Sequence, residues 1–344
     1  MSPSNINNAI MCGTLKDNNK KKRVGQWTLS LLKETWLTSW ELIRLMIPVI
    51  IVTKVLEELG LISYLSVLLE PLMGVLGLPG SLGLVWATAM LTNIYGGIAV
   101  FAALAPGLDV NGAQVTVLCS AMLIAHSLPI ELSVSKKAGA NILPIGFIRL
   151  VGAVVYAYLL NKICLYFHIW QDRAVLLFKQ SAEPLNLLQW LVRQIENIGM
   201  IIIIIFCIVI LMRLLRIIGV LDFLERMLEP VLPMFGMGRE SAPMTVVGMI
   251  MGIGYGGALI IRETNRGNIG REEVFNSMAL MGLCHGLVED TLVMFAIGGK
   301  LGGILWGRIV FSLLSIFFMV RLLRLFIGHG QPDMDTLTKN NCDE

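Results

Sequence analysis

The sequence predicts an all-α membrane protein of about ten membrane segments, arranged as two five-segment inverted repeats with broken helices near the midplane. Three observations predict it. Over half of the 344 residues are hydrophobic (56%), only 15% are charged, and the mean hydropathy is +0.74, whereas ordinary soluble domains carry about 25% charged residues. The apolar residues fall in long runs such as "IGMIIIIIFCIVILM" at 198–212, and stretches of ~20 such residues read as transmembrane helices. Finally, the chain repeats itself at an offset of 159 residues: Leu69-Glu70-Pro71 returns as Leu228-Glu229-Pro230, His126 as His285, Glu131 as Asp290 and Arg149 as Arg308.

The elements follow in order. Residues 1–26 contain "KDNNKKKRVGQ", polar and basic, and read as a disordered cytoplasmic arm with no cleavable signal peptide. The first repeat, 27–163, holds apolar segments near 38–58, 61–79, 82–104, 112–134 and 142–163. Residues 164–192 mix aromatic, apolar and basic side chains, as an interfacial linker helix would. The second repeat, 193–327, holds segments near 194–216, 220–237, 241–261, 273–297 and 301–325, and 328–344 is a polar tail. Segments 61–79 and 220–237 are short, with Glu-Pro at their centres, and fit either a broken span or a re-entrant hairpin. The positive-inside rule favours spans. With both termini cytoplasmic, most of the 27 Lys and Arg fall in inside segments or at the inside ends of spans, among them Lys136, Lys137, Arg213, Arg216, Arg262, Arg266, Arg271, Arg321 and Arg324. Five spans per half is an odd number, so the second half is inverted.

Tyr-Gly-Gly occurs in each half, as Asn93-Ile94-Tyr95-Gly96-Gly97 and as Gly252-Ile253-Gly254-Tyr255-Gly256-Gly257. Each Gly inside a helix costs roughly 1 kcal/mol relative to Ala. One return for that cost is unwound backbone at a substrate site, since inverted-repeat transporters bind near the midplane where broken helices meet. The other is close helix packing, because Gly252 and Gly256 form GxxxG.

"LIAHSLPIELSVSKK" at 123–137 matches "GLCHGLVEDTLVMFA" at 282–296. Each holds a His and, five residues on, a carboxylate, with Glu289 an additional acid in the second half. Residues i and i+5 do not share a helical face, so Pro129 and Gly286 are expected to break these helices. His126, Glu131, His285 and Asp290 are then expected to converge across the pseudo-twofold. Such a set suits proton coupling or solute binding, a divalent metal with mixed N/O ligands, or pairing within the protein, with His126 and His285 bonded to helix backbone or the carboxylates held by Arg149 and Arg308. Asn93, Tyr95, Gly96, Gly97, His126, Glu131, Tyr255, Gly256, Gly257, His285, Glu289 and Asp290 form the candidate substrate or ion site, and any metal falls to His126, Glu131, His285 and Asp290.

Other classes lack support. The net charge of +3 is small and the basic residues flank membrane segments, so nucleic acid is not indicated as a partner. "GSLGLV" and "GMGRES" lack the Gly-Lys-Ser/Thr of a P-loop. The six cysteines show neither metal-site spacing nor a disulfide framework. No Ser-His-Asp motif indicates an enzyme and no cofactor is implied. The expected partners are the lipid bilayer and a small-molecule solute, with a homo-oligomer compatible.

"ATAMLTNIYGGIAVF" at 87–101, "LIAHSLPIE" at 123–131, "GIGYGGALI" at 252–260 and the two Leu-Glu-Pro segments resemble the nucleoside-recognition, or Gate-domain, membrane protein superfamily. That superfamily includes spore-maturation membrane proteins and the gate regions of concentrative nucleoside and ferrous-iron transporters. The resemblance covers most of 38–325. It implies two Gate-like units in a bacterial inner membrane and a carrier for a small polar solute, nucleoside-like or anionic, coupled to protons or cations. A divalent-metal carrier and a non-transporting scaffold or sensor are the alternatives.

Overall fold

A computed structural model describes residues 46–105, 108–175, 187–238 and 240–327, together with 36, 40, 43 and 44. The N-terminal arm, the C-terminal tail and residues 176–186 of the linker lie outside the described residues. The helices are α1 (46–58), α2 (Leu61–Val75), α3 (Leu82–Leu91), α4 (Ile94–Leu104), α5 (Gly112–Ile124), α6 (Leu128–Lys137), α7 (Ile142–Tyr166), α8 (Leu187–Ile218), α9 (Val220–Leu228), α10 (Ser241–Met251), α11 (Ile253–Asn265), α12 (Arg271–Leu283), α13 (Glu289–Ala296) and α14 (Arg308–Ile327). A 3₁₀ turn, Glu229–Phe235, follows α9, and a π-helical stretch, Gly302–Gly307, leads into α14. From α2 to α5 the helix starts recur after 159 residues: Leu61 and Val220, Leu82 and Ser241, Ile94 and Ile253, Gly112 and Arg271.

Four helical stretches are long and apolar enough to cross a bilayer: Gly112–Lys137, which is α5 and α6 taken across the break between them, Ile142–Tyr166, Leu188–Ile218 and Gly302–Leu322. At ~1.5 Å per residue, the 31 residues of the third extend well past a hydrocarbon core of ~30 Å. The exterior is what lipid requires. Trp306, Val310, Leu314, Phe318 and Leu322 form an exposed stripe at every fourth position, while Arg308 and Ser312 on the same element are fully buried. Soluble proteins rarely expose apolar surface of that extent.

Local sequence places the breaks. Leu-Glu-Pro acts differently in the two halves. Pro71 sits inside a continuous α2, and Glu70 Oε2 accepts from the Gly80 N–H at 2.7 Å, closing the turn into α3. In the second half a further proline, Pro233, follows Pro230, and α9 gives way to the 3₁₀ turn at Glu229, because each Pro removes a helical donor and clashes with the preceding turn. At the start of α5, Asn111 Oδ1 accepts from the Gln114 N–H (2.8 Å) and Gln114 Oε1 from the Asn111 N–H (3.1 Å), a capping box. Gln114 Nε2 also donates to Gly77 O at 3.1 Å, seating α5 on the α2–α3 turn.

The expected linker helix over 164–192 is corrected in part. Residues 164–166 complete α7, 187–192 open α8, and 167–175 are not helical. The latter segment lies against the start of α5: the Ala113 N–H donates to Trp170 O (2.8 Å), the Gly112 N–H to Asp172 O (2.9 Å) and the Ala174 N–H to Val110 O (3.0 Å). The first four N–H groups of a helix have no partner within it, and this strand-like segment supplies carbonyls to two of them.

Candidate functional site

The site forms where four helices are interrupted, two in each half. In the first half α5 ends at Ile124, Ser127 takes a left-handed conformation (φ 47°), and Pro129 stands in the first turn of α6. In the second half α12 ends at Leu283, Gly286 takes the same conformation (φ 56°), and α13 begins at Glu289. The interruptions are anchored alike: the Ser127 N–H donates to Ala89 O and the Leu287 N–H to Met249 O, both at 2.9 Å. Each histidine therefore sits on irregular backbone, freed from helical geometry, which is how His126 and Glu131 come together across a five-residue spacing.

The two imidazoles meet. Their Nε2 atoms are 3.3 Å apart. Glu131 Oε1 lies 3.3 Å from His126 Nε2 and 3.2 Å from His285 Nε2. Asp290 Oδ2 lies 3.9 Å from His126 Nε2. His126, His285 and Glu131 are all buried. His126 Nδ1 is 2.9 Å from Met122 O, and His285 Nδ1 is 2.7 Å from Met281 O. A carbonyl only accepts, so in each ring Nδ1 carries the hydrogen; a neutral ring then turns an Nε2 lone pair into the cluster, and a protonated one turns an Nε2–H toward Glu131 Oε1.

The equivalent arginines behave differently. Arg149, fully buried, donates through Nε to Ile124 O (2.9 Å), through Nη2 to His126 O (3.0 Å) and through Nη1 to Glu131 Oε2. Arg308, also fully buried, donates through Nη2 to the Thr291 hydroxyl (3.1 Å), and no described residue accepts from its Nε or Nη1. Asp290 turns instead over Gly286, where a Cβ would collide with its carboxylate. The pairing of both carboxylates with arginines, one of the sequence alternatives, is thus present for Glu131 and absent for Asp290.

Tyr-Gly-Gly is corrected. The breaks lie just upstream of it, and Gly96, Gly97, Gly256 and Gly257 stand inside α4 and α11 rather than in unwound backbone. Asn93 is extended (φ −160°, ψ 179°) and its side chain accepts from the Gly96 N–H at 2.9 Å. Gly252 fills the same place at φ 103°, a conformation that favours glycine. The buried glycines one turn later let helices touch. A Cβ on Gly97 would fall 2.6 Å from Met122 Cε and 2.8 Å from Ala89 Cβ. A Cβ on Gly256 would overlap the Gly248 backbone.

Gly97 and Gly256 are therefore the equivalent pair, at the 159-residue offset, and the two tyrosines are not. Tyr95 is half-buried and close enough to Glu289 and Asp290 to feel their charge. Tyr255, one position later on its helix, is 64% exposed and does not join the cluster. Of the sequence candidates, His126, Glu131, His285 and Asp290 come together, with Glu289 and Tyr95 adjacent. The bonding of both histidines to helix backbone, another of the sequence alternatives, is present at Met122 O and Met281 O; sequence reasoning missed Thr291. The offset could have signalled Thr291, a polar residue where the first half has Leu132.

A cavity of about 510 Å³ lies between α8 and the Gly252 break, lined by Met212, Arg213, Arg216, Met251, Tyr255 and Glu289 among others. It reaches the residue next to Asp290.

No protein-family model matches the chain, and no solved structure does. The chain is 27% identical over 267 residues to "Uncharacterized membrane protein YvoD" of Bacillus subtilis, an alignment covering 76% of this chain and 83% of that protein. With the apolar, lipid-compatible exterior and a relative described as a membrane protein, the chain is a multi-pass, all-helical membrane protein.

Proposed function

We propose that this protein is a secondary transporter of a small polar solute, nucleoside-like or anionic, coupled to protons or cations, in a bacterial inner membrane. Two inverted five-segment Gate-like repeats alternate access to a site between them, with both termini cytoplasmic. The observation that carries the reading is the meeting of His126, Glu131, His285 and Asp290, drawn from equivalent helix breaks in the two halves. Ionisable groups at membrane depth are costly and mark pathways or binding sites, and inverted-repeat carriers place theirs at the repeat interface. A scaffold has no need of such a set.

The cavity beside Glu289 supports an approach from the face carrying Arg213 and Arg216, the cytoplasmic face in this topology. The unequal arginines support a two-state cycle: with Glu131 held by Arg149 and Asp290 released from Arg308, one half is latched and the other open. Alternation exchanges the two.

A thermal-shift screen of purified protein against nucleosides, other metabolites and divalent metals identifies the ligand, because a bound ligand stabilises the fold. Uptake of that ligand into proteoliposomes then tests transport. Glu131→Gln and Asp290→Asn are expected to stop or uncouple uptake. Normal uptake per folded molecule, with stability alone reduced, refutes the proposal.

A divalent-metal carrier is the second reading. One observation favours it: two imidazole Nε2 atoms and a carboxylate oxygen, all metal-ligand types, converge within 3.2–3.3 Å of one another.

A further inference from the structure

The ring tautomers decide what this cluster can hold. With both Nδ1 hydrogens committed to Met122 O and Met281 O, the two Nε2 atoms and Glu131 Oε1 form a triangle of lone pairs with sides of 3.3, 3.3 and 3.2 Å. Three acceptors at such separations repel unless a positive centre, a proton on one Nε2 or a metal ion, sits among them. A tetrahedral ion with nitrogen and oxygen ligands at ~2.0–2.1 Å separates neighbouring donor atoms by roughly 3.3–3.4 Å. The triangle has the dimensions of one face of that tetrahedron. Asp290 is the candidate for the fourth corner: its carboxylate lies 3.9 Å from His126 Nε2 and within 4.8 Å of both imidazoles, and closes further to complete a tetrahedron.

The surroundings fit a metal as well. Metal-binding histidines usually donate their second N–H to a carbonyl or carboxylate, which fixes the ring and raises its basicity, and here two backbone carbonyls do so. Arg149 holds Glu131 Oε2 and leaves Oε1 pointed at the imidazoles. Two imidazoles and two carboxylates select a borderline divalent ion of the zinc class, whereas calcium and magnesium require more oxygens. The guanidinium on Glu131 also weakens that carboxylate as a donor, which suits an ion that must leave again.

We propose that His126, His285, Glu131 and Asp290 form a tetrahedral site for a zinc-class divalent cation, and that this is the cation the transporter moves. Its movement rests on the transporter reading; its binding does not.

The test uses the full chain in detergent, free of any affinity tag and washed with chelator. Cobalt(II) is titrated as the probe, then displaced with zinc. One cobalt per chain is expected, with the intense visible bands of tetrahedral coordination, and X-ray absorption of the zinc form should show two imidazole neighbours. His126→Gln and His285→Gln should each weaken binding at least tenfold. Absence of saturable binding, a pale octahedral spectrum, or binding unchanged in the double variant overturns the site. The wild-type spectra decide even where a variant fails to fold. Zinc flux into proteoliposomes separates the two claims. Metal binding without flux defeats the claim that the metal moves and leaves the site standing. Solute uptake that persists in chelator, with no metal bound, defeats the metal as the coupled cation and leaves the transporter; the binding titration alone decides the site.

Discussion

Replacing each buried arginine by methionine tests the unequal pairing directly. Arg149→Met removes three hydrogen bonds at once and leaves the Glu131 carboxylate, 6% exposed, without its counterion. Breaking a buried ion pair from one side costs about 3–5 kcal/mol. The carbonyls of Ile124 and His126 lose their donor too, so a loss of ~4 kcal/mol is expected, nearly three orders of magnitude in the folding equilibrium. Arg308→Met removes one hydrogen bond to Thr291 and relieves a fully buried cation whose Nε and Nη1 have no acceptor among the described residues. Exchange of an ill-satisfied buried charge for an apolar side chain of similar volume is often neutral or stabilising, so a change within ~1 kcal/mol is expected. Denaturant unfolding in one detergent, at one protein-to-detergent ratio, measures both. Glu131→Leu added to Arg149→Met should recover much of the loss, since removing both partners spares the orphaned charge. Equal destabilisation by the two single changes refutes the asymmetry, and with it the latched-and-open reading.

The triple change Gly286→Ser, Asp290→Glu, Thr291→Leu gives the second half the residues of the first and should close the Arg308 pair, raising thermal stability while slowing transport at least tenfold; unchanged stability counts against it. Gly256→Ala forces a Cβ into the Gly248 backbone and should cost about 1–3 kcal/mol as overpacking does, read by the same unfolding assay. In sealed cells, a cysteine replacing exposed Asp109 should react with an impermeant thiol reagent and one replacing exposed Asn268 should not; external labelling at Asn268 overturns the inverted topology.

Much of the fold was legible because two signals survive without any alignment: long apolar runs and a fixed offset. The offset also found the site, since the sequence alone puts His126 against His285 and Glu131 against Asp290. Pro129 and Gly286 pointed correctly to the interruptions that let i and i+5 meet. Tyr-Gly-Gly misled for a physical reason. Glycine serves both unwound backbone and tight packing, and composition does not separate the two. The breaks before α4 and α11 fall at Asn93 and Gly252, and Asn93 opens α4 with a side-chain cap that is easy to overlook in apolar sequence. The tyrosines matched by eye across a one-residue slip, which on a helix is a turn of ~100°, and that slip separates a half-buried Tyr95 from an exposed Tyr255. The linker mixed aromatic and basic residues as an interfacial helix does, yet residues 170–174 leave helical form and supply carbonyls to the start of α5, with one isolated bridge between Asn111 and Arg173.

The difference between the halves is spread over several positions that act together. Ser127 is replaced by Gly286, which opens room over the break, and Glu131 by Asp290, which is one methylene too short to copy the reach to arginine. Leu132 is replaced by Thr291, which gives Arg308 a neutral partner. The regular α7 that carries Arg149 is matched by a π-helical stretch, Gly302–Gly307, immediately before Arg308. Each change alone loosens one arginine–carboxylate pair, and none tightens it. Chance drift after duplication would loosen some contacts and repair others. A carrier needs the opposite of symmetry in any one state, because one gate must hold while the other yields. On the proposed carrier cycle, a weaker latch in the second half would give the chain a preferred resting state. In that cycle Glu131 would stay fixed by Arg149, and Asp290, without an arginine partner, would be the carboxylate that closes on a ligand held by the histidines.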